Sequence, residues 1–388
     1  MFFSIGPYHV ARIEGARQAL ASIGWEVLTL EVCQEDSERP WGQRANSIGI
    51  ATLYSRFDEF AAASDRDINQ RVTDTLDRAR PAVVFVPGWG HATARCMLSW
   101  AKKNSACAVV MSESKYDDRS RRWLAELAKK WLYVRRFDAG LVGGERHKSY
   151  LEYLGMPLHR IFKGYDVVDN AYFQEACEVV CEQPETVRQQ YGLPAGQYFL
   201  TANRFIARKN LVRLIEAYQQ YRDRVGTPWD LVLLGSGEQE AELRSLVSEN
   251  GLVRHIHFPG FVGYDDMPGY LGLASAFIHP ALSEQWGLVV NESLAAGVPV
   301  LVSETVGSAE LVRHGQNGYC FDPADTDAMA ATLVAFHQLT EGEREQMSRA
   351  AMESMQAYGP HEFGAGVSQI VRLLETEGKI GVPSSSGD

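Results

Sequence analysis

Two carboxylates separated by seven residues are the most suggestive feature of this 388-residue sequence. Glu284 and Glu292 lie in SAFIHPALSEQWGLVVNESLAAGVPVLVS, Ser275–Ser303. The segment reads as strand, loop, helix and strand. The helix is expected to run from about Gly287 to Ala296, with Gly297 just past its end and Pro299 behind it. In open α/β sheets such a strand end, loop and helix start bind phosphates, because unpaired amides and the helix dipole favour an anion there. Glu284 precedes the helix start, and Glu292 sits about five residues in, roughly 7.5 Å along the axis. A diphosphate at the helix start would then have a carboxylate on each side, suited to hydroxyls of a sugar and a ribose. A carboxylate accepts such hydroxyls strongly, and the role needs neither base nor metal chemistry.

Four further stretches accompany this pair in order: NRFIARKN with Arg204 and Lys209, LLGSGE with Gly235 and Gly237, HFPGFV at Phe258–Val262, and SETVGSAELVRHGQNGYCFDPAD with Gly307, Glu310, Gly315 and Gly318. Together with E-QWGLVVN-E they resemble the retaining nucleotide-sugar glycosyltransferases of the GT-B fold, the group-1/family-4 type. The resemblance is strong over Tyr198–Asp327 and mostly architectural over Met1–Asn170. It implies that Arg204 and Lys209 hold the donor diphosphate, Glu284 the sugar hydroxyls and Glu292 the ribose. It also implies that the base packs on Gly260, Phe261 and Val262, and that Gly235, Gly237, Trp286, Gly287 and Leu288 complete the donor contacts. His91, near a helix start in VFVPGWGHATAR, joins Glu284, Arg204 and Lys209 in the expected catalytic set. His9, Arg12 and Glu113 are the expected acceptor-side groups.

Three departures from the family pattern stand out. Ala281 replaces the usual Ser, E-Q-W-G replaces E-G-F-G, and the N-terminal Gly-Gly pair is absent, with Pro7-Tyr8 in its place. Gly6 is then the expected phosphate contact from the first domain. The first apolar run is short, and the strand is expected to begin upstream of it. What the resemblance implies is transfer of a sugar from a nucleotide diphosphate sugar, a UDP- or GDP-sugar among them, to a glycan, glycolipid or small-molecule acceptor. Configuration is retained, and neither metal nor cofactor is required. The alternatives on the same fold are a nucleotide-sugar epimerase, a phosphorylase, or a catalytically silent nucleotide-sugar-binding partner protein.

Other chemistry-bearing residues have simpler readings. Glu240 breaks the G-x-G-x-x-G pattern that Gly235 and Gly237 begin, so a dinucleotide fingerprint is not met. His255 and His257 alternate on a strand and share a face, but no third ligand accompanies them. The six cysteines (33, 96, 107, 177, 181 and 320) contain no C-x-x-C pair, which suits inert thiols in a reducing compartment.

The elements that position these residues follow from alternation. MFFSI, EVLTLEV, AVVFVPG, CAVVMSES and DAGLVGG in the first half, and YFLTANR, DLVLLGSG, HIHFPGF, SAFIHP and VPVLVS in the second, are separated by helix-like stretches such as Arg17–Ile23, Ala92–Lys103 and Arg119–Tyr133. Continuous apolar runs of this kind predict parallel strands covered on both faces. The fold class is therefore α/β, with two doubly wound, Rossmann-like domains facing a cleft. Expected boundaries are 1–167 (acceptor domain), 168–196 (linker), 197–357 (nucleotide-sugar domain), 358–379 (a helix crossing back) and 380–388 (disordered tail).

Composition narrows the class. With 45% hydrophobic and 22% charged residues the chain is globular, and a net charge of −11 argues against nucleic-acid binding. No apolar stretch of about 18 residues predicts a membrane span, and MFFSIGPYHVARIEG does not read as a signal peptide, so a cytoplasmic location is expected. One segment reverses the global sign: KYDDRSRRWLAELAKKWLYVRR carries eight Lys or Arg against three Asp or Glu. Trp123, Leu124, Leu127, Trp131 and Leu132 recur in it at helical spacing. The favoured reading is a crossover helix with its apolar face on the sheet. The alternative is peripheral contact of 119–136 with an anionic membrane at the inner face.

Overall fold

The computed structural model describes residues 1–35, 50–118 and 121–383. The chain divides into two compact units, Met1–Val168 with Tyr358–Asp388, and Asp169–Ala357. The segment expected as a linker is instead two helices of the second unit, Asn170–Glu182 and Pro184–Tyr191. Its polar composition hid the amphipathic helix Asn170–Glu182, whose inward residues Phe173 and Cys177 are buried. Residues 384–388 of the expected tail lie outside the described residues.

In the first unit, β1 (Thr29–Glu35) pairs in parallel with β2 (Ile50–Arg56). A second parallel sheet runs β3 (Val83–Pro87), β4 (Cys107–Ser112), β5 (Ala139–Val142) and β6 (Ile161–Lys163), in that spatial order. Every residue of β4 and β5 is buried, as continuous Val- and Ala-rich runs require between two helix layers. MFFSI, expected as a strand, makes a single bridge among the described residues, Phe2 with Glu31. Gly6 and Pro7 open the helix Pro7–Ala21 directly behind it, leaving too few residues for a ladder. That helix starts ten residues before the expected Arg17. Beside the Phe2 bridge, between β1 and β3, lies a cavity of about 740 Å³ lined mainly by apolar side chains, including Phe2, Leu30, Phe85 and Val367.

The C-terminal helix Pro360–Thr376 packs within the first unit against the helix Pro7–Ala21. Glycine makes the crossing close: a Cβ on Gly364 would lie 2.2 Å from the Gly15 carbonyl oxygen, and one on Gly15 would lie 2.1 Å from that of Pro360. Gly364→Ala must push the helices apart. The expected loss is about 1–3 kcal/mol of stability, read as a lower urea midpoint at constant slope. An unchanged midpoint would show that the crossing is looser than described.

In the second unit, six strands form one parallel sheet: β7 (Tyr198–Ala202), β8 (Asp230–Leu234), β9 (Ile256–Gly260), β10 (Ala276–His279), β11 (Val300–Ser303) and β12 (Gly318–Phe321). Their spatial order is β9-β8-β7-β10-β11-β12, the doubly wound 3-2-1-4-5-6 arrangement. Phe199, Leu231, Leu233, Ile278 and Leu301 fill its core. The winding reverses between β7 and β10, so the loops after these two strands open at the topological switch point, where such sheets bind ligands.

Candidate functional site

The two switch-point loops carry the predicted residues. After β7 the chain runs through exposed Arg204 and Arg208 to a one-turn helix, Ala207–Lys209, and then Asn210 in a left-handed conformation (φ 61°). Asn210 donates from its amide to the carbonyls of Pro280 (3.1 Å) and Pro323 (2.9 Å), tying the β7 loop to the β10 loop. Leu282 N–H donates to the Arg208 carbonyl at 2.9 Å, and Thr305 Oγ1 to the Ala281 carbonyl at 2.9 Å. Held on both sides, the β10 loop places Glu284 against the Lys209 ammonium, with Arg208 Nη1 3.2 Å from the same carboxylate.

The electrostatics follow from burial. Lys209 is 9% exposed, and desolvation holds its ammonium below the usual lysine value despite Glu284 beside it. Burial alone would raise the Glu284 carboxyl, but the Lys209 charge, with Arg208, holds it below the ordinary range, so it is ionised. His279, the last residue of β10, is fully buried next to this pair. Desolvation, followed by Lys209, lowers its pKa to about 3, so the ring is neutral, and neither ring nitrogen has a hydrogen-bond partner. Sequence reasoning passed over His279 as the end of a strand. A polar residue within an apolar run at the mouth of a switch-point loop was the available signal.

Gly287 caps the helix Leu288–Ala295 with φ 97°, and Gly297 follows its end with φ 73°, as the spacing predicted. Only glycine suits position 287: a Cβ would stand 3.3 Å from His279 Nε2 and 3.3 Å from Val306 Cγ1. Trp286, expected among donor contacts, is 2% exposed, and its indole N–H donates to Asn291 Oδ1 at 2.8 Å. It braces the loop from inside. Glu292, 8% exposed, has its pKa raised to about 7 by desolvation. Two tyrosines that sequence reasoning did not select, Tyr172 and Tyr264, stack at 4.9 Å and feel the Glu292 charge. One came from the supposed linker, which is why it was missed.

The glycine turn after β8 is a packing feature. A Cβ on Gly235 would lie 1.8 Å from the Asn203 carbonyl oxygen and one on Gly237 2.5 Å from that of Phe205. These glycines let the β7 and β8 loops touch, which positions Arg204. At the end of β9, Gly260 has φ 96°, and Phe261 just after it is exposed, an aromatic face open to a ligand. His255 and His257 do share a face, and both reach Asp230, at 3.3 and 2.7 Å. Among the described residues no group of three or more His, Cys, Asp or Glu is placed to hold a metal ion. None of the six cysteines is in a disulfide, and burial pushes the Cys177 thiol up to about 12.

In the first unit several expected site residues have structural partners. Gly6 N–H donates to His9 Nδ1 at 3.0 Å, which caps the helix Pro7–Ala21 and occupies both groups. Arg12 is 1% exposed, donates from Nε to the Val167 carbonyl at 3.0 Å and lies 3.6 Å from Asp166. Neither a Gly6 phosphate contact nor an acceptor-facing His9 or Arg12 fits these positions. Glu113 is half-buried just after β4, and His91 is exposed at the start of the helix Ala92–Lys103.

A strand order of 3-2-1-4-5-6 defines a doubly wound α/β module, and its cations and carboxylates gather at the switch point where such sheets bind ligands. Part of the chain is similar to known proteins. Residues 184–354 match the model of the glycosyl transferases group 1 family. The matched residues all lie within the second unit. A GDP-mannose-dependent α-(1-6)-phosphatidylinositol monomannoside mannosyltransferase of Mycobacterium tuberculosis is 31% identical over 155 residues, 38% of this chain and 40% of that protein. O-antigen chain mannosyltransferase B of Escherichia coli is 32% identical over 149 residues, 38% of this chain and 39% of that protein. The match thus spans about 40% of the length of these curated relatives. Whole-chain likeness extends to solved structures. Thermosynechococcus elongatus sucrose-phosphate synthase has a TM-score of 0.73 at 18% identity, over 96% of this chain and 94% of that one. Anabaena HepE in complex with UDP-glucose has a TM-score of 0.70 at 16% identity, over 97% and 99%. At such identities the likeness establishes the fold, which is GT-B.

Proposed function

We propose that the protein is a glycosyltransferase that moves a sugar from a nucleoside diphosphate sugar to a glycan or glycolipid acceptor with retention of configuration. The observation that carries this reading is the grouping of Arg204, Arg208, Lys209, Glu284 and Glu292 around the Gly287 helix start. The three cations and the helix amides receive the diphosphate, Glu284 the sugar hydroxyls and Glu292 the ribose. The exposed ring of Phe261 offers a surface for the base. In the transfer step the acceptor oxygen bonds to the anomeric carbon as the bond from that carbon to the diphosphate breaks. The acceptor proton passes to the departing phosphate oxygen on the same face. Arg204, Arg208 and Lys209 stabilise the charge growing on the diphosphate, the work a divalent ion does elsewhere, so the reaction proceeds without metal. The acceptor falls to the first unit.

The likeness to a GDP-mannose-dependent mannosyltransferase of Mycobacterium tuberculosis makes GDP-mannose the first donor to try, and the likeness to HepE with UDP-glucose makes that sugar the second. Turnover with EDTA present, followed by proton NMR of the anomeric signal, tests the reading. A new glycoside with the donor's anomeric configuration is expected. An inverted product would overturn retention. Donor converted to a different nucleotide sugar would favour an epimerase, phosphate-dependent release of sugar phosphate a phosphorylase, and binding without turnover a silent partner.

A further inference from the structure

The helix Trp123–Leu132 is mounted with its apolar face outward, against the expectation of a crossover helix packed on the sheet. Its only fully buried residue is a carboxylate, Glu126, 4% exposed. Glu126 accepts from Tyr150 Oη at 2.6 Å and from Lys129 Nζ at 2.7 Å, while the Arg121 guanidinium lies over the Tyr150 ring at 4.3 Å. This inward polar cluster fixes the rotation of the helix. Trp123 (71% exposed), Leu124, Leu127, Trp131 (58%) and Leu132 therefore face solvent together. Five large apolar side chains in ten residues of one helix exceed the scattered exposure normal for a surface.

The surroundings select the partner. Arg122, Arg135 and Arg136 are exposed at the two ends of the helix, and Arg135 stacks on Trp131 at 4.1 Å. The patch is thus a Trp- and Leu-bearing face framed by cations, on a chain whose net charge is −11. A second copy would bring the same cations against these in a two-fold contact, which is repulsive. An anionic bilayer surface matches both features: apolar side chains enter the headgroup boundary, Trp rings sit at its level, and arginines meet lipid phosphates. Among the described residues no helix is long and apolar enough to cross a membrane, so the contact lies in the plane of the surface.

We infer that the Trp123–Leu132 helix docks the protein on an anionic lipid surface. The test is co-sedimentation of the full chain with phosphatidylcholine vesicles containing three parts in ten phosphatidylglycerol, and with phosphatidylcholine alone. Binding to the anionic vesicles is expected, about tenfold weaker on neutral vesicles or at 0.5 M salt. Trp123→Glu with Leu127→Glu should reduce binding at least about tenfold with an unchanged thermal midpoint, since both residues are exposed. Should that variant not fold, Arg135→Glu with Arg136→Glu, which leaves the apolar face intact, should weaken anionic binding alone by about tenfold or more. Failure of the wild type to bind anionic vesicles, or equal binding by a folded variant, would overturn the inference. So would a concentration-dependent dimer that the variants dissolve while vesicles remain unbound.

Discussion

Lys209→Met should lower turnover by roughly 10²–10³-fold and stability by about 3 kcal/mol. Both losses come from one place. The Lys209 and Glu284 side chains are only 11% and 14% exposed, and removing the ammonium leaves a desolvated carboxylate facing the neutral His279. Breaking such a pair costs more than the pair is worth, because the remaining charge stays buried. The turnover loss has a separate cause, since a cation aimed at the leaving diphosphate disappears. Lys209→Met with Glu284→Leu distinguishes them. Replacing both charges with apolar groups should restore most of the stability while turnover stays low. Chemical denaturation and steady-state kinetics on the three proteins form the cycle. If Lys209→Met retained wild-type turnover, the diphosphate would not be where the cations are.

Glu292→Gln should make the ligand-free protein more stable at pH 8 and bind nucleotide less well. Burial raises the Glu292 pKa from 4.5 to about 7. With a raised folded-state value, its stabilising contribution is complete below pH 4.5 and is lost as pH rises from there to about 7. Above that range the folded protein holds a buried carboxylate at a cost of roughly 3 kcal/mol, which glutamine does not incur. The variant and wild type should therefore melt together near pH 4.5 and separate by several degrees at pH 8. Binding runs the other way. A ribose hydroxyl donating to a carboxylate is worth about 1.5–3 kcal/mol, so the variant's Kd should rise about 10–100-fold at pH 8. The wild-type Kd should weaken roughly tenfold from pH 8 to pH 6 while that of the variant stays flat. Parallel pH profiles for the two proteins would remove Glu292 from the site.

What could be read from the sequence depended on range. The β10 loop and its helix were legible because Gly287, Gly297 and Pro299 mark local backbone events within a dozen residues, and the two carboxylates sit on that frame. Continuous strands such as β4 and β7 declare themselves by composition. By contrast, β2 is mostly exposed along its length, and no apolar run announced it. His9 and Arg12 looked like site residues because a polar group after an apolar run has that appearance. Their real partners are the Gly6 amide and, 155 residues away, the Val167 carbonyl. The Trp123–Leu132 helix shows the same limit. Periodicity located its apolar face correctly, but which face turns inward was decided by Tyr150, on another helix. Burial of Glu292 and of His279 is likewise a three-dimensional property that spacing does not carry.

Isothermal titration of the full chain with GDP-mannose and with UDP-glucose, at pH 8 with EDTA present, tests the central claim most directly. The account predicts that at least one of them binds, and that Glu292→Gln and Lys209→Met with Glu284→Leu each weaken that binding while remaining folded. Binding that appears only with added divalent metal, or that is indifferent to both variants, would contradict a donor site built from the switch-point cations and carboxylates.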